Sequence, residues 1–212
     1  MTDDVAPPVD AAAFKAALGA TDAQIADLEA FRALLEDWNQ RMNLVGPSAL
    51  AEFWRRHALD SAQLLPLAPA ALKWADLGTG PGLPGVVLAI LLKGRPGAHV
   101  HLVESLQKRC RFLTEVVTTL DLPASVELSR AEDLRLTGIE VVAARACAPM
   151  VRLLGYARPV LRGRAIGLFL KGRDVEAEIA EARRNWRFEV ELIQSQSDPT
   201  GRIVRVEGLS RV

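Results

Sequence analysis

The stretch Asp76-Leu77-Gly78-Thr79-Gly80-Pro81-Gly82-Leu83-Pro84-Gly85 lies between an apolar run ending at Leu77 and another ending at Leu92. Glycine is required where a backbone turns sharply and comes into contact with a ligand, because a Cβ there would collide with it. Gly78, Gly80 and Gly82 have that placement. A dinucleotide fingerprint spaces its glycines as GxGxxG, which from Gly78 would need glycine at position 83, where this chain has Leu83. The spacing is GxGxG. Outward from this loop, short apolar runs alternate with helical stretches, the pattern of a parallel sheet covered by helices on both faces. Strands are expected at Lys73 to Leu77, His99 to Glu104, Ser125 to Leu128, Glu140 to Arg145, Ala165 to Leu170, Phe188 to Ile193 and Ile203 to Val206. Helices fit between most of them, at Leu83 to Leu92, Ser105 to Leu120, Pro149 to Leu161 and Asp174 to Trp186. The last two strands lack a helix between them and flank Asp198-Pro199-Thr200-Gly201, so they read as a hairpin.

The segment before Lys73 has a different character. Thr21-Asp22-Ala23-Gln24 has capping-box spacing, and Ile25, Leu28, Phe31, Leu34, Leu35 and Trp38 recur at helical intervals to about Asn39. Pro47-Ser48 can start a second helix carrying Leu50, Phe53 and His57 until Pro66 and Pro69 end it. The expected organisation is a helical extension over residues 1–70 and one compact α/β unit over residues 71–212. With 212 residues, half of them apolar, one good core can be buried. Met1-Thr2-Asp3-Asp4 has no basic leader, and the longest apolar run, Val86 to Leu92, is far shorter than the roughly 20 residues that span a bilayer. A cytoplasmic protein with no membrane partner is expected. Cys110 and Cys147 form no CxxC pair and no cluster at metal-ligand spacing, so packed thiols and no metal are expected.

Net charge is zero, but unevenly spread. Residues 1–53 hold three Lys/Arg against nine Asp/Glu, and residues 54–212 hold 23 against 17. The basic clusters are Arg55-Arg56, Lys108-Arg109 with Arg111, Arg158 with Arg162 and Arg164, Lys171 with Arg173, and Arg183-Arg184 with Arg187. Any one of them reads first as a solvated helix face; convergence around one pocket would mark a nucleic-acid footprint.

The loop's chemistry favours a cationic ligand. A pyrophosphate needs a free helix N-terminus, whereas the methionyl end of S-adenosylmethionine carries a sulfonium, which suits Asp76 at the strand end. Glu104 ends the next strand, 22 residues beyond Gly82, where a carboxylate can accept ribose hydroxyls. After the third strand, Ala131-Glu132 offers a backbone N–H and a carboxylate where an adenine could lie. The expected fold class is α/β, Rossmann-like: a class I S-adenosylmethionine-dependent methyltransferase with a mostly parallel seven-stranded sheet ending in a β-hairpin.

Five motifs in order carry a family resemblance: Trp38-Asn39 with Met42-Asn43-Leu44; Arg56-His57 with Asp60-Ser61; Asp76 to Gly85; Glu104-Ser105 with Lys108-Arg109; and Phe112-Leu113. Over about Phe31 to Gly172 the chain resembles the small-subunit rRNA methyltransferase G family, also called glucose-inhibited division protein B. The resemblance implies methyl transfer from S-adenosylmethionine to N7 of a guanine in the 530 loop of 16S rRNA, guanine 527 in the usual rRNA numbering. It puts cofactor contacts on Gly78 and Leu83, on Ala131 and Glu132, and on Arg145, to which the loop reading adds Gly80 and Glu104. Thr79 stands where the family commonly has serine, and Glu104 where it often has aspartate.

Guanine N7 carries a lone pair and no proton, so no general base is assigned. The fourth strand ends Arg145-Ala146-Cys147-Ala148-Pro149, without the Asp/Asn-Pro-Pro-aromatic motif of amino-group methyltransferases. Lys108, Arg109, Arg145 and Lys171 are candidate RNA contacts, with Arg145 aimed at O6 or phosphate since N7 must stay free. His57, Asp60 and Ser61 have the residue types of a hydrolase triad, but neighbouring helical positions rarely form its relay, and they read as a hydrogen-bond cluster. His99 and His101 alternate along a strand and read as packing residues. The alternatives are a methyltransferase for another RNA or a small molecule, a pyrimidine methyltransferase using Cys147 as nucleophile, a nicotinamide-dependent oxidoreductase, and a non-catalytic RNA-binding assembly factor. The expected partner is 16S rRNA or the small ribosomal subunit, and the expected state a monomer.

Overall fold

The computed structural model describes residues 9–212, and the reading of Met1-Thr2-Asp3-Asp4 lies outside them. Helices α1 (Ala11–Leu18), α2 (Asp22–Asn39), α3 (Pro47–Ala51) and α4 (Asp60–Ala62) precede strand β1 (Lys73–Leu77). Then come α5 (Gly85–Leu92), β2 (His99–Glu104), α6 (Gln107–Thr119), β3 (Ala124–Leu128), β4 (Val141–Arg145), α7 (Met150–Ala157), β5 (Ile166–Lys171), α8 (Val175–Ala182), β6 (Trp186–Gln194) and β7 (Arg202–Arg211). The seven strands form one sheet in the order β3-β2-β1-β4-β5-β7-β6. The first five pair in parallel, and β7 runs antiparallel between β5 and β6. This is the expected parallel sheet with a terminal hairpin.

Side chains alternate across the sheet, so each strand supplies both layers of the core. Trp74, Val100, Leu102, Val141, Ala143 and Leu168 pack with α5 and α6 on one face. Ala75, Leu77, Val103, Val142, Ala144 and Phe169 pack with α7 and α8 on the other. The helices before β1 join the first layer: Phe14, Leu28, Phe31, Leu35, Phe53 and Trp54 belong to the same apolar cluster as α5. Gln24 donates to the Leu91 carbonyl at 3.0 Å, and Lys93 pairs with Asp27 at 3.0 Å. The Thr21 capping box is present, with the Gln24 N–H donating to Thr21 Oγ1 at 3.2 Å and the Thr21 N–H donating to Gln24 Oε1 at 2.9 Å. Among the described residues no helix is long and apolar enough to cross a membrane.

Several boundaries differ from the expectation. The single helix expected from Pro47 is broken into α3, a π-helical turn over Trp54–Leu59, α4 and a 3-10 turn over Leu65–Leu67. The wider turn admits one more residue per loop of backbone and lets Trp54, His57, Ala58 and Leu59 all be buried. α5 begins at Gly85, because Gly82 at φ +90 lies outside any helical conformation. α6 begins at Gln107 because the N–H groups of Ser105 and Leu106 donate to Glu104 Oε1. α7 and α8 also stop short, at Ala157 and Ala182, and Trp186 opens β6 instead of closing a helix.

Gly85 is the tightest of the loop's contacts with the sheet. A Cβ there would lie 2.3 Å from Leu102 Cδ2 and 2.7 Å from Asp76 Oδ2. Gly85→Ala should destabilise the protein by about 1–3 kcal/mol through overpacking, read as a lower denaturation midpoint with an unchanged slope.

Candidate functional site

The residues singled out in the sequence gather along one rim, at the exits of β1, β2, β3 and β4. In the order β3-β2-β1-β4 the chain reverses its direction of travel at β1, which opens a crevice beyond the strand ends. Gly78 and Gly80 follow β1, Glu104 ends β2, Ala131 and Glu132 occupy a 3-10 turn after β3, and Arg145 ends β4.

Asp76 is fully buried and accepts the Gly85 N–H at 2.7 Å. Its other oxygen, Oδ1, and the buried Thr79 hydroxyl have no hydrogen-bond partner among the described residues. Burial raises the Asp76 carboxyl from 3.8 to about 6, opposed by the neighbouring Thr79 hydroxyl and the Gly85 N–H. Gly78 and Gly80 sit at φ +65 and +56, where only glycine is free of strain. A Cβ on Gly78 would reach 2.7 Å from Cys147 Sγ, so the loop lies directly against the segment leaving β4. On Gly80 it would meet only the Gly78 carbonyl, at 3.8 Å, which leaves room on that side. Leu83 is buried behind the loop.

Glu104 is also buried. Its Oε1 accepts the Ser105 and Leu106 N–H groups at 2.8 and 2.9 Å, which fixes the side chain, while Oε2 faces Arg109 at 3.4 Å. That second oxygen is the one left for a ligand hydroxyl. Leu106 and Leu128, at the exits of β2 and β3, are exposed apolar side chains beside it that the sequence reading did not select. An adenosine fits this set: a carboxylate oxygen whose one long bond to Arg109 leaves it able to accept another, exposed apolar surface, and the Ala131-Glu132 turn. The room at Gly80 and the unpartnered Asp76 oxygen suit the cationic methionyl end.

Arg145 is engaged from the other side. Its Nη1 donates to the Arg56 carbonyl at 2.7 Å and lies 3.3 Å from both His57 Nδ1 and Asp60 Oδ2. The second Asp60 oxygen accepts Ser197 Oγ at 2.5 Å and Gln63 Nε2 at 3.2 Å. Gln63 in turn accepts the Gln196 N–H at 2.7 Å and meets Ser195 Oγ at 3.2 Å. His57 and Asp60 thus meet around Arg145, which their spacing did not include, while the Ser61 hydroxyl, expected to share the cluster, is buried without a hydrogen-bond partner among the described residues. Gln63, Ser195 and Ser197 were missed, since no local pattern links residues more than 130 apart. Burial, reinforced by Arg145, lowers the His57 imidazole to about 4, so it is neutral near pH 7.

The remaining candidates divide. Lys108 is exposed, and Arg109 is partly turned to Glu104. Lys171 differs from the expectation of a free cation: it pairs with Glu178 at 2.6 Å, donates to the Ala148 carbonyl at 2.9 Å, and its side chain is 8% exposed. An ammonium held this way is not open to a phosphate. Cys147 is half-buried, and burial together with Asp76 and Glu104 pushes its thiol up, away from the thiolate a nucleophile needs. His99 and His101 are bonded to Ser125 and Glu127, and no metal-holding cluster occurs among the described residues.

Ala146, between Arg145 and Cys147, sits at φ +49, a left-handed conformation that costs a non-glycine residue about 1–2 kcal/mol. Ala146→Gly should raise stability by up to about 1 kcal/mol in denaturant titrations while loosening Arg145 and lowering turnover. Asp76 gives a second expectation. Its folded value lies above its unfolded one, so in the ligand-free protein this carboxyl lowers stability as pH rises from about 4 to about 6. A cationic ligand favours the carboxylate, so affinity for S-adenosylmethionine should hold above pH 6 and weaken as pH falls through about 6. Calorimetry across that range on the wild type and Asp76→Asn should show the dependence in the first alone.

Comparison with known proteins agrees with this geometry. A family model described as rRNA small subunit methyltransferase G matches residues 24–201. A ribosomal RNA small subunit methyltransferase G of Caulobacter vibrioides (strain NA1000 / CB15N) is 66% identical over 204 residues, covering 96% of this chain and 94% of its own. One of Methylorubrum populi is 46% identical over 187 residues, covering 87% and 89%. Among solved structures, a mutant of MtNAS in complex with S-adenosylmethionine has TM-score 0.56 at 15% identity, covering 94% of this chain and 84% of its own. A SAM dependent methyltransferase from Aquifex aeolicus has TM-score 0.54 at 15% identity, covering 81% and 97%. The fold is that of the class I methyltransferases, and the chain belongs to the rRNA small subunit methyltransferase G family.

Proposed function

We propose that this protein transfers the methyl group of S-adenosylmethionine to N7 of one guanine of 16S rRNA, guanine 527 in the 530 loop. Family membership supports the rRNA substrate and the cofactor. The observation that carries the choice of atom is the wall beside the glycine loop. It presents Arg145, a strained Ala146 and a protonated Cys147, and its one histidine, His57, is buried and held neutral. His57 is committed to the Arg56 carbonyl, Asp60 to Arg145, and Cys147 is held as the thiol, a setting that suits a guanine N7 with no proton to give. A wall of this kind suits attack by a ring nitrogen with a free in-plane lone pair.

The bound cofactor supplies an electrophilic methyl on a sulfonium. The chain's own residues do the positioning. Gly78 and Gly80 let the backbone come close; Glu104 Oε2 takes a ribose hydroxyl; the Ala131 N–H and Glu132 meet the adenine. Asp76 holds the loop shut through Gly85 and keeps one carboxylate oxygen toward the cationic end. Arg145, fixed by Asp60 and the Arg56 carbonyl, is set to meet O6 or a phosphate of the target nucleotide. Holding the base in line at near-attack distance converts an encounter of two molecules into one step within a complex, which accounts for most of the rate such a site can provide.

Labelled methyl transfer to small subunits lacking the modification, mapped by cleavage at 7-methylguanine, should mark a single guanine in the 530 loop. Label at another atom or nucleotide would replace the substrate; binding without transfer would favour an assembly factor. Arg145→Ala should lower kcat/KM by about 100-fold, and full transfer by that variant would remove Arg145 from the substrate site.

A further inference from the structure

Three guanidiniums outside the cofactor rim converge on one groove beside the sheet, with Glu132 of that rim at its edge. Arg135 lies in the segment that leads into β4, Arg158 caps the end of α7, and Arg162 lies in the loop that enters β5. Together with Glu132, Leu161 and Leu209 they line one groove of about 620 Å³. All three are exposed. Arg158 and Arg162 have no ion pair or side-chain hydrogen bond among the described residues, and Arg135 spends one N–H on the neighbouring Leu134 carbonyl at 3.0 Å. The groove's carboxylate, Glu132, stands 4.0 Å from Arg130, outside the groove. A helix C-terminus favours a cation and accounts for Arg158. It does not account for three like charges around one depression, which repel one another and face a single carboxylate, Glu132.

Leu161 and Ala165 are 5% and 8% exposed, so the guanidiniums stand over apolar ground where their field is less screened than on a convex surface. Guanidinium forks match phosphate oxygens bidentately. Arg158 and Arg162 stand before the entrance to β5, whereas Glu132 follows the exit of β3, so the groove runs from one rim of the sheet toward the other.

We propose that this groove holds the sugar–phosphate backbone of the substrate RNA on a stretch outside the loop that carries the reacting guanine. It anchors RNA outside the target loop, so a subunit or long RNA engages it and a minimal hairpin does not. The inference rests on the proposed rRNA substrate and adds a second contact region to it.

The test compares wild type, the triple variant Arg135→Ala/Arg158→Ala/Arg162→Ala, and Arg184→Ala as an exposed control outside the groove. Each is titrated with small subunits and with a short hairpin carrying only the target loop, across a salt series, with S-adenosylmethionine affinity measured by calorimetry. The triple variant should bind subunits at least about tenfold more weakly, and its slope of log K against log salt should flatten by about two to three. Its KM for subunits should rise, with kcat at saturation, hairpin binding, cofactor affinity and thermal midpoint held; Arg184→Ala should follow wild type. An unchanged slope and KM in the triple variant overturn the groove. So does equal weakening toward the hairpin, which would place the contact at the target loop, or polyglutamate competing as well as RNA. If wild type binds subunits with the steep slope that the triple variant loses, yet transfers no methyl, the proposed reaction fails and the groove stands. If wild type transfers normally and the triple variant matches it, the groove alone fails.

Discussion

One buried hydrogen bond organises the molecule. The Asp76 carboxylate at the end of β1 accepts the Gly85 N–H at the start of α5, across the whole glycine loop. The contact is short because Gly85 has no side chain and the strand residue opposite, Leu102, fills the space where one would be. The loop between these two anchors therefore has to turn tightly, and it does so at three positive-φ glycines. The crevice, the approach of backbone to ligand and the burial of an unpartnered carboxylate oxygen all descend from that closure. Without bound ligand, a carboxyl buried in this way resists ionisation, which is the cost the fold carries for keeping an acceptor ready.

The parallel sheet was legible because its signals are local and periodic. Apolar runs bounded by glycine and proline mark β1 through β5, and the capping box at Thr21 marks the start of α2 to the residue. What could not be read were the places where tertiary contacts override propensity. Pro47 onward has helical periodicity, yet burying Trp54 and His57 on one side needs a wider turn than the α-helix provides. Ser105 and Leu106 look helical, but Glu104 captures both of their N–H groups first. At the site, residues selected by type and motif do line one rim. Lys171 shows the limit of that reasoning: a lysine at a strand exit looks like a phosphate ligand until Glu178, seven residues on, is seen to hold it.

The second half of the site has a different construction from the first. The cofactor side is built from consecutive strand ends and their loops, so its parts are close in sequence. The Arg145 side draws on the π-helical turn, β4 and the β6–β7 connection at once. Asp60 is the junction, with one oxygen toward Arg145 and the other toward Ser197 and Gln63. A change in the hairpin turn can therefore reach Arg145 through two hydrogen bonds, without touching any residue of the glycine loop.

That junction also orders events during synthesis. Gln63 leaves the ribosome 132 residues before Ser195, its partner in the hairpin. A nascent chain that has reached β4 already contains the glycine loop, Glu104, Glu132 and Arg145 with its partners Arg56, His57 and Asp60, while Asp60 still lacks Ser197. The strand-end rim is thus complete in sequence before the fastening of Asp60 is. The last strands to emerge complete the enzyme by fastening its beginning to its end.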